Sequence, residues 1–426
     1  MTSSTLAYLN AVIKKLWTQS AIDSLAFSEI PLLAFVNKKT DFSKKVKHIA
    51  LQFGNPQGRN ANFAIAQANG SASKFADWLL TRVDDYAVGQ LDSVLIESID
   101  SVLIASAKDK KAAAAALVDA LKNQIGGSLT ELNRSLHKAL FGNGSGVLGQ
   151  ADGAGAAAAS DTLTLTSVED VASFSPGMTV VLSALDDGTG VIAGKEVIKA
   201  VDRDTGTITS TSPAWNTVIV GALDNMYVYV DGEPGKKVVG LDGWLPATPP
   251  GAALFFGVDR SIDPVSLGGI RYDGSADGTK KEALENAAGR LMREGNGANP
   301  THIFMNPTDA QKLNIELGSQ RVYEDLLGKG TSGKAVNFGF KAVAMSTMCG
   351  NLSVIPDYQC PIGVAYMLDM STWTFYSMGG VPQLFEEDGL TIFRRAPNSD
   401  GYEYLAAYRG NLVCTAPGRN VRVKLP

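Results

Sequence analysis

At "GQADGAGAAAASD", Gly149–Asp161, the hydrophobic period of this chain switches from that of helices to that of short strands. Upstream, a helical tract is expected from about Asp84 to Phe141. It includes the Ala- and Leu-rich run "KKAAAAALVDALKNQI", which has high helix propensity. Gly126–Gly127 should break this tract, and Ser128 with Glu131 form a capping box that restarts it with Leu129, Leu132, Leu136 and Leu140 on one face. Downstream, "TLTLTSVEDVASFSPGMTVVLS", "KEVIKAVDRDTGTITS" and "NMYVYVDG" alternate apolar and polar residues, with turn residues at roughly 8–12 residue intervals. The expectation is a small all-β barrel or sandwich over residues 162–240, behind a low-complexity linker at 149–161.

After a connector at 241–264, mixed character returns. Thr279–Glu294 reads as a helix. Ile303–Met305 reads as a strand feeding a second helix, with Asn306 as N-cap, Pro307 at the first helical position and Asp309 in the first turn. Strands dominate from Phe340 onward. An all-β block between two α+β segments reads as an insertion, so the fold class is α+β.

Residues 4–19 carry Leu6, Leu9, Ile13, Leu16 and Trp17 at the spacing of one helix face. From Lys44 the period becomes two. Ile49, Leu51 and Phe53 alternate, "GNPQG" at Gly54–Gly58 turns the chain, and Ala61, Phe63 and Ile65 alternate back. "KFADWLLTRV" is a third extended run. A lone two-stranded hairpin is marginal in water, so this one should rest on another surface, with a neighbouring subunit among the candidates.

Charge excludes a global nucleic-acid field: the 426 residues carry a net −5. The distribution is uneven, because the first 60 residues hold eight Lys or Arg against three Asp or Glu. The Lys38–Lys47 stretch could contact phosphates through charge alone, without aromatic interleaving for base stacking. Cys349, Cys360 and Cys414 lack metal-ligand spacing, which fits free thiols in a reducing compartment. No basic, apolar leader and no membrane-length apolar run is present, so synthesis in the cytosol is expected.

Motifs for chemistry are weak. "GKGTSGKA" at Gly328–Ala335 nearly matches a phosphate-binding loop, but Ala335 stands where a hydroxyl should hold magnesium, and "VNFGF" follows where a helix is needed. Gly144, Gly146 and Gly149 match GxGxxG but follow a helix, so they read as a terminator. His48, His137 and His302 show neither paired spacing nor a nucleophile motif. Asp186–Asp187 and Asp202 with Asp204 read as turn residues. Glu386–Glu387–Asp388 and Arg394–Arg395 read as a charged turn and its pairing partners. No catalytic, cofactor-binding or metal site is expected.

The order of elements adds a resemblance. An N-terminal arm, a projecting hairpin, a long helix ending in "LFGNGSG", the unit around "THIFMNP" and the close "YRGNLVCTAPGRNVRVKL" resemble the HK97-fold major capsid proteins of tailed bacteriophages. The resemblance implies an N-arm at 1–43, an E-loop hairpin at 44–83, and a P-domain with its spine helix at 84–148. It further implies an A-domain at 265–390 and return strands of the P-domain at 391–426. The β-rich insert lies outside the minimal fold, and the 43 or so residues before the hairpin are short for a fused scaffolding domain, which implies a separate scaffolding protein or none. Lys44, Lys45 and Lys47 stand at the hairpin base, so the Lys–Asn crosslink of some relatives is not carried over.

The implied function is structural: hexamers and pentamers closing into an icosahedral shell around double-stranded DNA. Implied partners are copies of the chain, the packaged DNA and a portal, with the use of a separate scaffolding or decoration protein left open; no cofactor, enzyme activity or membrane is implied. The implied location is the virion, with assembly in the bacterial host cytoplasm. Inter-subunit candidates are Leu9, Ile13, Trp17, Lys38 and Lys39 on the arm, and Phe53, Asn55, Gln57, Arg59 and Phe63 on the hairpin. Glu386, Glu387, Arg394 and Arg395 complete the set. Two alternatives are a nucleotide-binding enzyme using Gly328–Lys334 and a tail or adhesin-like surface protein.

Overall fold

A computed structural model describes residues 3–42, 44–56, 58–92, 110–153, 160–219, 225–295, 297–318, 322–329, 335–386, 391–397 and 400–426. The fold is α+β and divides into two compact units. Elements are numbered along the chain.

One unit comprises Met1–Ala34, Asp84–His137 and Ser377–Gly410. It holds α1 (Ser3–Leu16), α2 (Gln19–Glu29), the start of α3 (Pro31–Phe35), nearly all of β4 (Val83–Asp92) and α5 (Lys110–Phe141) as far as His137. β20 (Gln383–Leu384) and β21 (Arg394–Arg395) pair antiparallel with the first part of β22 (Gly401–Cys414), and β4 also pairs with β22. Leu121, Ile125, Leu129, Leu132 and Leu136 form the buried stripe of α5 at helical spacing.

Two expectations fail here. Asp84–Asp92 is strand rather than helix, and residues 93–109 lie outside the described residues. Gly126–Gly127 does not break α5, and Ser128 caps nothing. Tertiary contacts override the local glycine cost. The Tyr404 hydroxyl donates to Gln124 O at 2.9 Å and lies 2.8 Å from Ser128 Oγ, while the Trp17 ring packs over Gly126.

The other unit comprises Phe35–Val83, Lys138–Tyr376 and Asn411–Pro426. β1 (Asn37–Lys39) runs parallel to β19 (Trp373–Ser377). β2 (Val46–Gly54) and β3 (Lys74–Thr81) form a two-stranded hairpin. The expected return strand at Ala61–Ile65 is instead the short helix α4 (Phe63–Ala68), capped by Asn62 Oδ1 accepting from Ala64 N at 3.0 Å. "KFADWLL" supplies the return strand, because its Trp78 and Leu80 have a buried surface to face.

The insert is a closed barrel. β5 (Gly149–Gln150), β10 (Tyr227–Val230), β7 (Thr179–Ser183), β8 (Glu196–Asp202), β9 (Thr207–Ser210) and β6 (Thr162–Thr164) pair in that order. An Ala151–Leu165 bridge then joins β5 to β6, with Asp152 N donating to Thr164 O and Thr166 N to Gln150 O, both at 2.8 Å. Closure removes the free edges that such short strands would otherwise expose. Gly149–Ala151, read as linker, is therefore barrel wall. Phe174, Leu182, Ile208, Trp215 and Val228 fill the interior.

The remaining lobe is a seven-stranded sheet. Its order is β13 (Ile270–Asp273), β23 (Val421–Lys424), β18 (Val364–Leu368), β14 (His302–Met305), β17 (Gly350–Pro356), β16 (Ala335–Thr347) and β15 (Val322–Lys329). β13–β23 and β14–β17 are parallel and the other pairings antiparallel. α7 (Lys280–Glu294) and α8 (Pro307–Leu317) pack on it through Ala283, Leu284, Ala287, Leu291 and Leu313. Thr279 and Asn306 cap the two helices: Glu282 N donates to Thr279 Oγ1 at 3.1 Å and Thr308 N to Asn306 Oδ1 at 2.9 Å. The short helix α6 (Leu241–Trp244) and the ribbon β11 (Leu254–Phe255)–β12 (Val258–Asp259) lie between barrel and lobe in the sequence.

Candidate functional site

Alternation along β3 decides the shape of the hairpin. Trp78 and Leu80 face inward, where Trp78 meets Trp244 edge-on at 5.2 Å and Phe255 at 6.0 Å. Leu79 N donates to Phe256 O at 2.8 Å, and Asn411 Nδ2 donates to Thr81 O at 2.9 Å. The base is thus anchored on β11–β12 and α6. Toward the other end the apolar side chains are open: Phe63 is 79 % exposed, Phe75 67 % and Ile65 46 %. Asn55 and Arg59 are also exposed, and Phe53 is half-buried. Gln57 lies outside the described residues. Phe75 and Ile65 were missed as contact candidates, although the alternation of "KFADWLL" carries the signal for Phe75. Leu51, Phe53 and Asn55 line one wall of a cleft of about 340 Å³ whose other wall includes Ser266, Leu267 and Arg419.

The basic stretch is partly neutralised within the chain. Lys47 Nζ lies 2.6 Å from Asp41 Oδ2, and this bond lowers the Asp41 pKa. Lys47 and Lys39 stand 4.5 and 5.7 Å from the centre of the Tyr376 ring. Lys38 and Lys39 remain exposed on β1.

Two of the arm candidates, Ile13 and Trp17, are engaged within their own unit. Ile13 is fully buried, which corrects its assignment as a surface for a neighbour, and Trp17 is half-buried beside Gly126. Leu9 stands one turn before Ile13 on α1. Around them Asn10 Oδ1 accepts from Ile392 N at 2.9 Å, Lys14 pairs with Glu386 at 3.0 Å, and Gln19 Nε2 donates to Pro382 O at 2.9 Å. Among the described residues Arg394 pairs with Glu403 at 2.6 Å and Arg395 with Asp400 at 3.3 Å, rather than with Glu386 of the acidic turn. Strand register puts Arg394 opposite Glu403, a relation no local pattern encodes. Glu387 lies outside the described residues.

The candidate chemical motifs do not assemble. β15 and β16 flank Gly330–Lys334, which is itself outside the described residues, as an antiparallel pair, so a strand follows where a phosphate loop needs a helix. Gly144 and Gly146 adopt positive φ of 93° and 87° just after α5, the conformation that ends a helix. Asp187 and Asp202 accept from backbone amides of their own turns. Among the described residues no group of three or more His, Cys, Asp or Glu could hold a metal ion, and no helix is long and apolar enough to cross a membrane. The three cysteines are free, and burial pushes the Cys414 thiol up to about 12. Burial likewise lowers His302 to about 4.

No protein-family model matches this chain, and no curated protein matches its sequence. Among solved structures it is similar to the cyanophage A-1(L) capsid asymmetric unit, at 11 % identity over 93 % of this chain and 92 % of that one, with a TM-score of 0.45. It is also similar to the capsid of a native GTA particle (10 % identity, 93 % and 90 % covered, TM-score 0.39) and to the satellite phage P4 procapsid (9 %, 96 % and 99 %, 0.37).

Proposed function

We propose that this chain is a non-enzymatic shell subunit of the tailed-phage type, with copies assembling through hexamers and pentamers into an icosahedral shell around double-stranded DNA. The observation that carries the reading is the hairpin. Its base is fastened by Trp78, whereas its far part presents Phe63, Ile65 and Phe75 to solvent. A two-stranded ribbon with several open apolar side chains gains stability when something covers them. In this reading a second copy supplies the cover, and many weak contacts of this kind close a strong shell. Exposed Lys38 and Lys39 would meet packaged DNA through phosphate charge. A portal, with separate scaffolding and decoration proteins, would complete the particle in the host cytoplasm.

Negative-stain microscopy of the purified, concentrated protein tests the proposal. Closed shells or ring-shaped capsomers are expected; dispersed monomers, fibres or trimers would count decisively against it.

A further inference from the structure

The 3-10 helix Val168–Ser173 carries hydrogen bonds from the barrel to the seven-stranded lobe. Val171 of this segment is buried in the barrel core, while Glu169, Asp170 and Ser173 reach outward. Glu169 Oε1 accepts from Thr308 Oγ1 at 3.0 Å, and Glu169 Oε2 accepts from Asn306 Nδ2. Asp170 pairs with Lys138 at 2.7 Å, and Ser173 Oγ donates to Gln359 Oε1 at 3.4 Å.

Asn306 is the N-cap of α8, and its amide is fully committed. Oδ1 accepts from Thr308 N, one Nδ2 hydrogen goes to Cys360 O at 3.1 Å, and the other goes to Glu169. The carboxylate therefore fixes the rotamer that points Oδ1 at the helix, and its charge sits at the positive end of the helix dipole. Three polar side chains of one short segment thus engage groups outside the barrel, on α8, on α5 and on the loop before β18, which ties the module to its surroundings at several points.

We propose that Glu169 is a positioning residue that caps α8 from outside the helix and holds the inserted barrel in one orientation, so that barrel and lobe move as one body. This goes beyond the shell reading and holds whether or not the chain assembles.

The test uses the full chain, its Glu169→Ala and Glu169→Gln variants, and two readouts. Hydrogen exchange of the amides at 308–311 should speed up about fivefold in Glu169→Ala, the factor expected for losing a cap, and less in Glu169→Gln, which keeps one acceptor oxygen. Amides of β7 and β8 should keep their protection. Bio-orthogonal spin labels at positions 203 and 293 should give one narrow distance distribution in the parent and a broadened one in Glu169→Ala. Unchanged α8 exchange, an equally narrow distribution in Glu169→Ala, or a distribution already broad in the parent overturns the proposal. So does loss of protection throughout the barrel in both variants, which would make Glu169 a folding residue.

Discussion

Replacing Phe63 by alanine separates assembly from folding. The ring is 79 % exposed on α4, so its loss should leave the stability of a single subunit within about 0.5 kcal/mol. Fully burying a phenylalanine contributes up to about 3 kcal/mol, so covering the exposed part of this one with a second copy contributes about 2 kcal/mol. With tenfold per 1.4 kcal/mol, and one such contact per subunit, the concentration needed for assembly should rise about 30-fold in Phe63→Ala. Sedimentation velocity over a concentration series reads that threshold, and thermal unfolding of the dissociated subunit reads stability. A threshold shift below about threefold, with unfolding unchanged, would refute the idea that the ring is covered on assembly. A fall in the unfolding temperature would instead show that Phe63 belongs to the subunit's own core.

Three further outcomes follow from side chains already placed. His302, whose ring lies tilted against Phe35 at 4.4 Å, has its pKa lowered by burial to about 4, below its unfolded value near 6.5. Its neutral form thus contributes stability that is present above pH 6.5 and declines as pH falls toward 4, by about 3 kcal/mol in all; His302→Gln should show a correspondingly flatter dependence in urea unfolding between pH 7 and 4, and an equal slope would sink the argument. Lys280 and Asp309 form a buried pair at 3.1 Å between α7 and α8, so Lys280→Met should cost about 3–5 kcal/mol in denaturant unfolding, and adding Asp309→Asn should recover part of it. A Cβ on Gly127 meets nothing within 4 Å, whereas one on Gly89 would come within 2.1 Å of the Tyr404 ring; Gly127→Ala should stabilise α5 by about 0.5–1 kcal/mol and Gly89→Ala should destabilise, both read by thermal denaturation.

Wherever the controlling partner was close in sequence, the chain by itself determined the outcome. Asn306 and Thr279 cap their helices because a cap needs only the amides two or three residues on, and the alternation after Ser160 becomes strands because period two places every second side chain on one face. Long-range contacts reversed the local reading elsewhere. Gly126–Gly127 stays helical because Tyr404 and Trp17 hold that turn, and the hairpin returns through Lys74–Thr81 because only there can Trp78 reach Trp244. Lys14 finds Glu386 across most of the chain, and Arg394 finds Glu403 through the register of β21 on β22. The candidate surface divides in the same way. Alternation and composition pick out a projecting apolar hairpin, but burial decides which of its rings face inward and which stay open, and that depends on walls contributed by residues hundreds of positions away.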